Sequence, residues 1–308
     1  MGEELVLTYR FGTSTSGFAG RVAELLPDVR MVPWPEPGEV LLTVDTAWKG
    51  GGDGGLPDAV RWVHVLGTGV SGFPFEILEG RTMTCSRGAT AVPIAEWVLA
   101  VILSFEKQLP DTYISSPPER WHAAKLGLVA GKTLGLVGIG AIGTEVARRA
   151  LAFDMRVVAL RRSDRPLPLA GVAAARSLDE VLRGADHVVI AAPATPETRH
   201  LIDAAAFDAM QDGVHLVNVA RGTIIDQDAL LAALDAGRVA RATLDVVDPE
   251  PLPAGHPLYT HPRVRLTPHI SWSAPVATAR MLEIFVDNVR RYRTGEPLEG
   301  LVDVAAGY

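Results

Sequence analysis

A single cysteine, Cys85, stands in 308 residues, so the chain forms no internal disulfide and offers no multi-cysteine zinc site. Basic residues are outnumbered, 29 against 36 acidic ones, for a net charge of −7. General attraction to nucleic acid or to an anionic membrane is therefore not expected, and any anionic substrate must be held locally. Long apolar runs are missing too. The longest, Trp97 to Leu103, is far too short to cross a bilayer, and Met1 to Leu5 lack the basic-then-apolar order of a signal peptide. No repeat or low-complexity tract interrupts the chain; the one turn-rich patch, Gly50 to Pro57, reads as a surface loop. These absences leave a globular protein expected in the cytoplasm, without membrane or nucleic-acid partners and without a metal. At 48% hydrophobic content it has enough apolar material for two domains of ordinary size.

From Lys132 to Leu266 short β-branched runs alternate with helical patterns. The runs are Thr133 to Val137, Met155 to Leu160, His187 to Ile190, Val214 to Val219, Ala242 to Leu244 and Val264 to Leu266. Their continuous apolar character predicts parallel strands covered on both faces, a doubly wound Rossmann-type α/β sheet. A weaker pattern of the same kind precedes it, with strands at Leu5 to Leu7, Val40 to Val44, Trp62 to Leu66 and Thr82 to Thr84. This second domain is expected to be smaller. Helices over Ala91 to Glu106 and Ala274 to Arg293 would carry the chain between the two, which puts the smaller domain at 1–92 with 274–308 and the larger at 93–273. Two crossings predict a hinge and a cleft, where small-molecule sites tend to sit.

Gly138-Ile139-Gly140-Ala141-Ile142-Gly143 follows one such run and opens a helix expected over Thr144 to Phe153. This is the dinucleotide fingerprint in its required context. The first glycine allows the tight turn, the second lets backbone approach a pyrophosphate, and the third lets helix pack on strand. An acid normally ends the second strand and accepts the ribose hydroxyls, whereas arginines suit a 2′-phosphate. Here that position holds Arg161, eighteen residues after Gly143, then Arg162 and Ser163, with no acid before Asp164. NADP(H) is favoured, with NAD(H) the alternative.

Three further segments lie at or after strand ends, where open parallel sheets bind ligands: Val217 to Gly222, Leu244 to Leu252 and Leu266 to Ser271. Reducing a carbonyl with hydride puts negative charge on its oxygen, so a proton donor must stand beside it. His269 is the candidate donor, Glu250 the carboxylate that would stabilise its imidazolium, and Arg221 a planar fork of donors suited to a carboxylate or to polarising the carbonyl.

The ordered set N-x-x-R-G, D-V-x-x-x-E-P and P-H-I behind G-x-G-x-x-G resembles the D-isomer-specific 2-hydroxyacid dehydrogenase family, over about Val60 to Arg293. The resemblance implies catalysis by Arg221, Glu250 and His269. It also implies Asp245 as a partner of the nicotinamide carboxamide, with Pro193, Thr198, Val219 and Ala220 lining the cofactor. Leu66-Gly67-Thr68-Gly69-Val70 resembles the family's carboxylate loop, whose amides grip the substrate, Thr68 and Gly69 among them; Ser71 stands where the family often has an acid. Trp48 occupies a position that approaches substrate in glyoxylate and hydroxypyruvate reductase-like members, and Trp272 lies three residues past His269. Either tryptophan is as readily a packing residue. The implied activity is a small-acid reductase acting as a homodimer, with Pro110 to Leu128 as an exchanged arm. A phosphite dehydrogenase-like enzyme and a dinucleotide-sensing corepressor, similar to the C-terminal-binding proteins, remain as alternatives; formate dehydrogenases typically carry glutamine where this chain has Glu250.

Overall fold

The computed structural model describes residues 4–11, 17–48, 55–163 and 165–308; Gly50 to Gly54 of the turn-rich patch, and Asp164, lie outside these. The chain divides into two compact units, Met1–Thr90 with Ser273–Tyr308, and Ala91–Trp272.

The first unit is built on β1 (Val6–Arg10), α1 (Gly17–Leu25), β2 (Arg30–Pro33), β3 (Val40–Thr43), β4 (Trp62–Val65) and β5 (Thr82–Cys85), with the chain's last helix, α7 (Pro275–Thr294). The five strands are parallel in the order β2-β1-β3-β4-β5. All four residues of β3 and all four of β4 are buried, as strands covered on both faces require. β2 escapes sequence reading because Arg30-Met31-Val32-Pro33 is a short edge strand with one buried side chain. Helix α7 buries Ala277, Met281, Leu282, Phe285, Val286 and Val289, a helical spacing that presents one face to the core. Trp62 packs against Phe285 and Tyr292 at ring distances of 5.7 and 5.3 Å. The helix stops where Gly295 takes a left-handed φ of 72°.

In the second unit come α2 (Ala91–Lys107), β6 (Thr133–Val137), α3 (Ala141–Ala152), β7 (Arg156–Leu160), β8 (Val172–Ala175), α4 (Leu178–Leu182), β9 (His187–Ile190), α5 (Ala204–Ala209), β10 (Val214–Asn218), α6 (Gln227–Asp235), β11 (Val239–Leu244) and β12 (Val264–Leu266). The seven parallel strands run β12-β11-β10-β9-β6-β7-β8. Successive side chains enter opposite cores: Val188 and Ile190 join the cluster with Phe207 and Leu230, while Val189 joins that with Ile94 and Val146. Both units are therefore doubly wound parallel α/β structures. The unpredicted strand β8, Val-Ala-Ala-Ala at an exposed edge, lacks the bulky buried run that marks the others. Helix α3 begins at Ala141 rather than the expected Thr144, because extended Gly140 forms its N-cap. Among the described residues no helix is long and apolar enough to cross a membrane.

Candidate active site

The order of the second sheet reverses between β6 and β9, so the loops leaving these strands part and open a crevice at their carboxyl ends. The three fingerprint glycines each answer a different demand there. Gly138 turns at φ 100°, and a Cβ on it would sit 2.7 Å from the Ala192 nitrogen. A Cβ on Gly143 would lie 2.3 Å from the Gly138 carbonyl oxygen. On Gly140, by contrast, a Cβ would meet nothing within 4 Å. Nothing in the chain demands glycine at 140, and open space at a helix N-terminus suits a pyrophosphate. The residues present thus fit a dinucleotide. Beyond β7, Arg161, Arg162 and Ser163 line a cavity of 480 Å³. Thr198 caps its own turn: its hydroxyl donates to the Pro193 carbonyl at 2.8 Å and accepts from the Thr195 amide.

Arg221 leaves β10 through Val219 and Ala220. Buried Asn218 shapes this loop, accepting from the Ala220 amide at 3.0 Å and donating to the Arg221 carbonyl at 2.9 Å. Glycine follows for a reason the sequence hides. A Cβ on Gly222 would stand 1.9 Å from the Val247 carbonyl carbon and 2.4 Å from the Asp248 nitrogen, so the loops after β10 and β11 cross backbone against backbone. That crossing brings Arg221 to the turn that carries Glu250.

Glu250 accepts from the Val247 amide at 3.3 Å and pairs with the His269 Nδ1 at 3.0 Å. Burial pushes its carboxyl up. The His269 hydrogen bond and charge, the Val247 amide and the Arg221 charge together outweigh burial and hold it below its ordinary value. His269 itself is left-handed, φ 56°, an uncommon conformation for a residue with a side chain. Its amide donates to the Asp245 and Thr267 carbonyls. Asp245, 1% exposed, completes the hold: its carboxylate accepts from the Thr267 hydroxyl and from the Ile270 and Ser271 amides at 2.8 and 2.9 Å. The Trp272 indole donates to the His269 carbonyl at 2.9 Å. Asp245 and Trp272 thus anchor the histidine loop through backbone amides and a backbone carbonyl, roles that leave no mark in residue spacing. The Asp245 carboxylate is thus held by a hydroxyl and two amides of the histidine loop.

In the first unit the Gly67–Val70 loop follows β4, and no described carbonyl accepts from the Thr68 or Gly69 amides. Trp48 is a core residue there, 2% exposed, packed on Phe73 and donating its indole N–H to the Thr43 hydroxyl at 2.9 Å. It presents no free face to a ligand, and the Arg10 guanidinium lies 4.1 Å above its ring. No group of three or more metal-ligating side chains occurs among the described residues.

Residues 99–271, more than half of the chain, match the model of the D-isomer specific 2-hydroxyacid dehydrogenase, NAD binding domain. The chain belongs to the D-isomer-specific 2-hydroxyacid dehydrogenase family. It is 33% identical over 245 residues to glyoxylate/hydroxypyruvate reductase A of Serratia proteamaculans, covering 79% of this chain and 75% of that protein. To D-3-phosphoglycerate dehydrogenase of Bacillus subtilis it is 36% identical over 219 residues, but that match spans 70% of this chain and only 41% of the longer relative. A family member from Xanthobacter autotrophicus Py2, solved in complex with NADPH and MES, superposes with a TM-score of 0.84 at 28% identity, covering 99% and 100% of the two chains. The family is one of oxidoreductases, and the fold and nicotinamide-dinucleotide domain read from the sequence agree with it.

Proposed function

We propose that the protein is an NADPH-preferring reductase of small 2-oxo acids, of the glyoxylate or hydroxypyruvate type, interconverting them with D-2-hydroxy acids. The observation that carries this reading is the His269 Nδ1 to Glu250 carboxylate contact at 3.0 Å, on a loop whose backbone is pinned by Asp245. A dinucleotide held there would supply hydride to the 2-carbon of the acid in reduction and take it back in oxidation. Glu250, held ionised, fixes His269 with Nδ1 inward, which leaves Nε2 as the proton donor to the developing alkoxide and the proton acceptor in reverse. Arg221 supplies the fork of donors for the carboxylate and the carbonyl oxygen. Thr68 and Gly69 are assigned as amide donors to the substrate carboxylate.

For the cofactor, the pyrophosphate is assigned to the Gly138, Gly140, Ala141, Ile142 and Gly143 loop, and the 2′-phosphate to Arg161, Arg162 and Ser163. Pro193, Thr198, Val219 and Ala220 are assigned to the remainder, and Asp245 to the nicotinamide carboxamide. We assign the protein to the cytoplasm as a homodimer. Tyr113, Trp121 and Leu128, 73%, 71% and 61% exposed, support a second copy as the occupant of the 110–128 segment; sedimentation of a monomer at micromolar concentration would reject it. The activity is tested with glyoxylate, hydroxypyruvate and larger 2-oxo acids, each with NADPH and NADH. Turnover with a small acid and NADPH supports the proposal, whereas dinucleotide binding without turnover on the whole panel rejects it in favour of a sensor.

A further inference from the structure

The pairing of β7 with β8 runs from Val157↔Val172 to Leu160↔Ala175. The first residue after each strand is an arginine, Arg161 after β7 and Arg176 after β8, and both line the same 480 Å³ cavity together with Arg162 and Arg165. The glycine loop is tied to this corner, since the Gly138 amide donates to the Leu160 carbonyl at 3.1 Å. No acidic side chain is among the described residues lining the cavity. Like charges gathered around one cavity repel, so arginines lining it from both strand ends suit an anion between them. The four arginines are not equivalent. Arg161 gives one N–H to the Pro166 carbonyl at 2.8 Å, keeping its position at the turn. Arg162 faces Glu197, whose carboxyl is lowered first by its Thr195 hydrogen bond, then by its own backbone and by the Arg162 charge. Arg176 makes no ion pair with a described residue, and Glu180, one turn away, is bonded to the Arg176 backbone amide at 2.7 Å rather than to its guanidinium.

We propose that Arg176, delivered by the neighbouring strand, is a specificity-determining residue that closes on the 2′-phosphate from the side opposite Arg161. This rests on the NADPH reading above and extends it to a residue outside the segment after β7. A phosphate monoester carries a charge of roughly −1.5 to −2 at neutral pH and offers three acceptor oxygens, so it can engage guanidinium forks from both strands, whereas a bare ribose hydroxyl leaves the second fork unused.

The test is isothermal titration calorimetry of the full-length protein with NADP⁺ and NAD⁺, for wild type, Arg176→Gln and Arg176→Lys. Wild type should bind NADP⁺ more tightly. Arg176→Gln should raise the ratio of the NADP⁺ to the NAD⁺ dissociation constant on the order of 10- to 100-fold, the loss of a hydrogen-bonded charge contact, and Arg176→Lys should restore part of it. A merely structural role would weaken both nucleotides together and leave the ratio unmoved, and that result overturns the assignment of Arg176. Wild type binding NAD⁺ as tightly as NADP⁺ would instead overturn the cofactor reading on which it rests.

Discussion

Gly222→Ala tests the crossing of the loops that deliver Arg221 and Glu250. The added methyl would stand 1.9 Å from the Val247 carbonyl carbon, 2.1 Å from its oxygen and 2.4 Å from the Asp248 nitrogen. All three are backbone atoms, so no rotamer change relieves the overlap, and the loops must part by at least about 1 Å to reach even the shortest tolerated contact. Overpacking of this kind costs about 1–3 kcal/mol, a melting-temperature loss of about 2–10 °C in a domain of this size. Activity should suffer more. Displacing catalytic groups by about 1 Å can lower turnover on the order of 100-fold, while the fingerprint glycines, on other strands, keep their geometry. Steady-state kinetics with glyoxylate and NADPH, dinucleotide titration by fluorescence and a thermal melt separate these effects. A variant with wild-type kcat and melting temperature would refute the reasoning that this glycine is required by the loop crossing.

Gly140→Ala should do the reverse, leaving the melting temperature within about 2 °C while weakening dinucleotide binding at least about 10-fold, because its Cβ meets only the space assigned to the pyrophosphate; a melt and a titration decide. His64, fully buried between the Thr84 and Ser86 hydroxyls, is pushed by burial down to about 3, so the unfolded chain takes up its proton near pH 6.5 and the folded one only near 3. Stability is then lost as pH falls across that window, at up to about 1.4 kcal/mol per unit, and His64→Asn should flatten the slope of urea-measured stability between pH 6 and 4; an unchanged slope would contradict it. Trp272→Phe removes the indole donor to the His269 carbonyl and should lower kcat on the order of 5-fold with little change in dinucleotide affinity, since one hydrogen bond is worth about 1 kcal/mol; unchanged kcat would show that the loop needs no such brace.

Much of this architecture is legible in the sequence because it rests on chemistry that repeats along the chain. The buried strands announce themselves as apolar runs, as β9 does with His187-Val188-Val189-Ile190. The fingerprint is legible because three glycines fall within six residues between a strand and a helix, two of them where a Cβ would strike backbone. Edge strands β2 and β8 are not, having little burial to select bulky side chains. The pairing of Glu250 with His269 follows from residue type and from strand ends, yet what holds His269 in place does not. Asp245 grips backbone amides of residues 270 and 271, and backbone amides are the same for every sequence. Gly222 is opaque for a related cause: the clash that excludes other residues comes from Val247, twenty-five positions away, visible only once both loops are folded. Trp48 shows the converse, a side chain whose identity suggests a ligand but whose indole is enclosed by Thr43 and Phe73.

The proton-donor role of the histidine is tested most directly by comparing His269→Ala with wild type in a single-turnover reduction of glyoxylate, with dinucleotide affinity measured on the same samples. Turnover should fall by about two to four orders of magnitude while the dissociation constant for the dinucleotide stays within about threefold. Turnover equal to wild type would contradict the account.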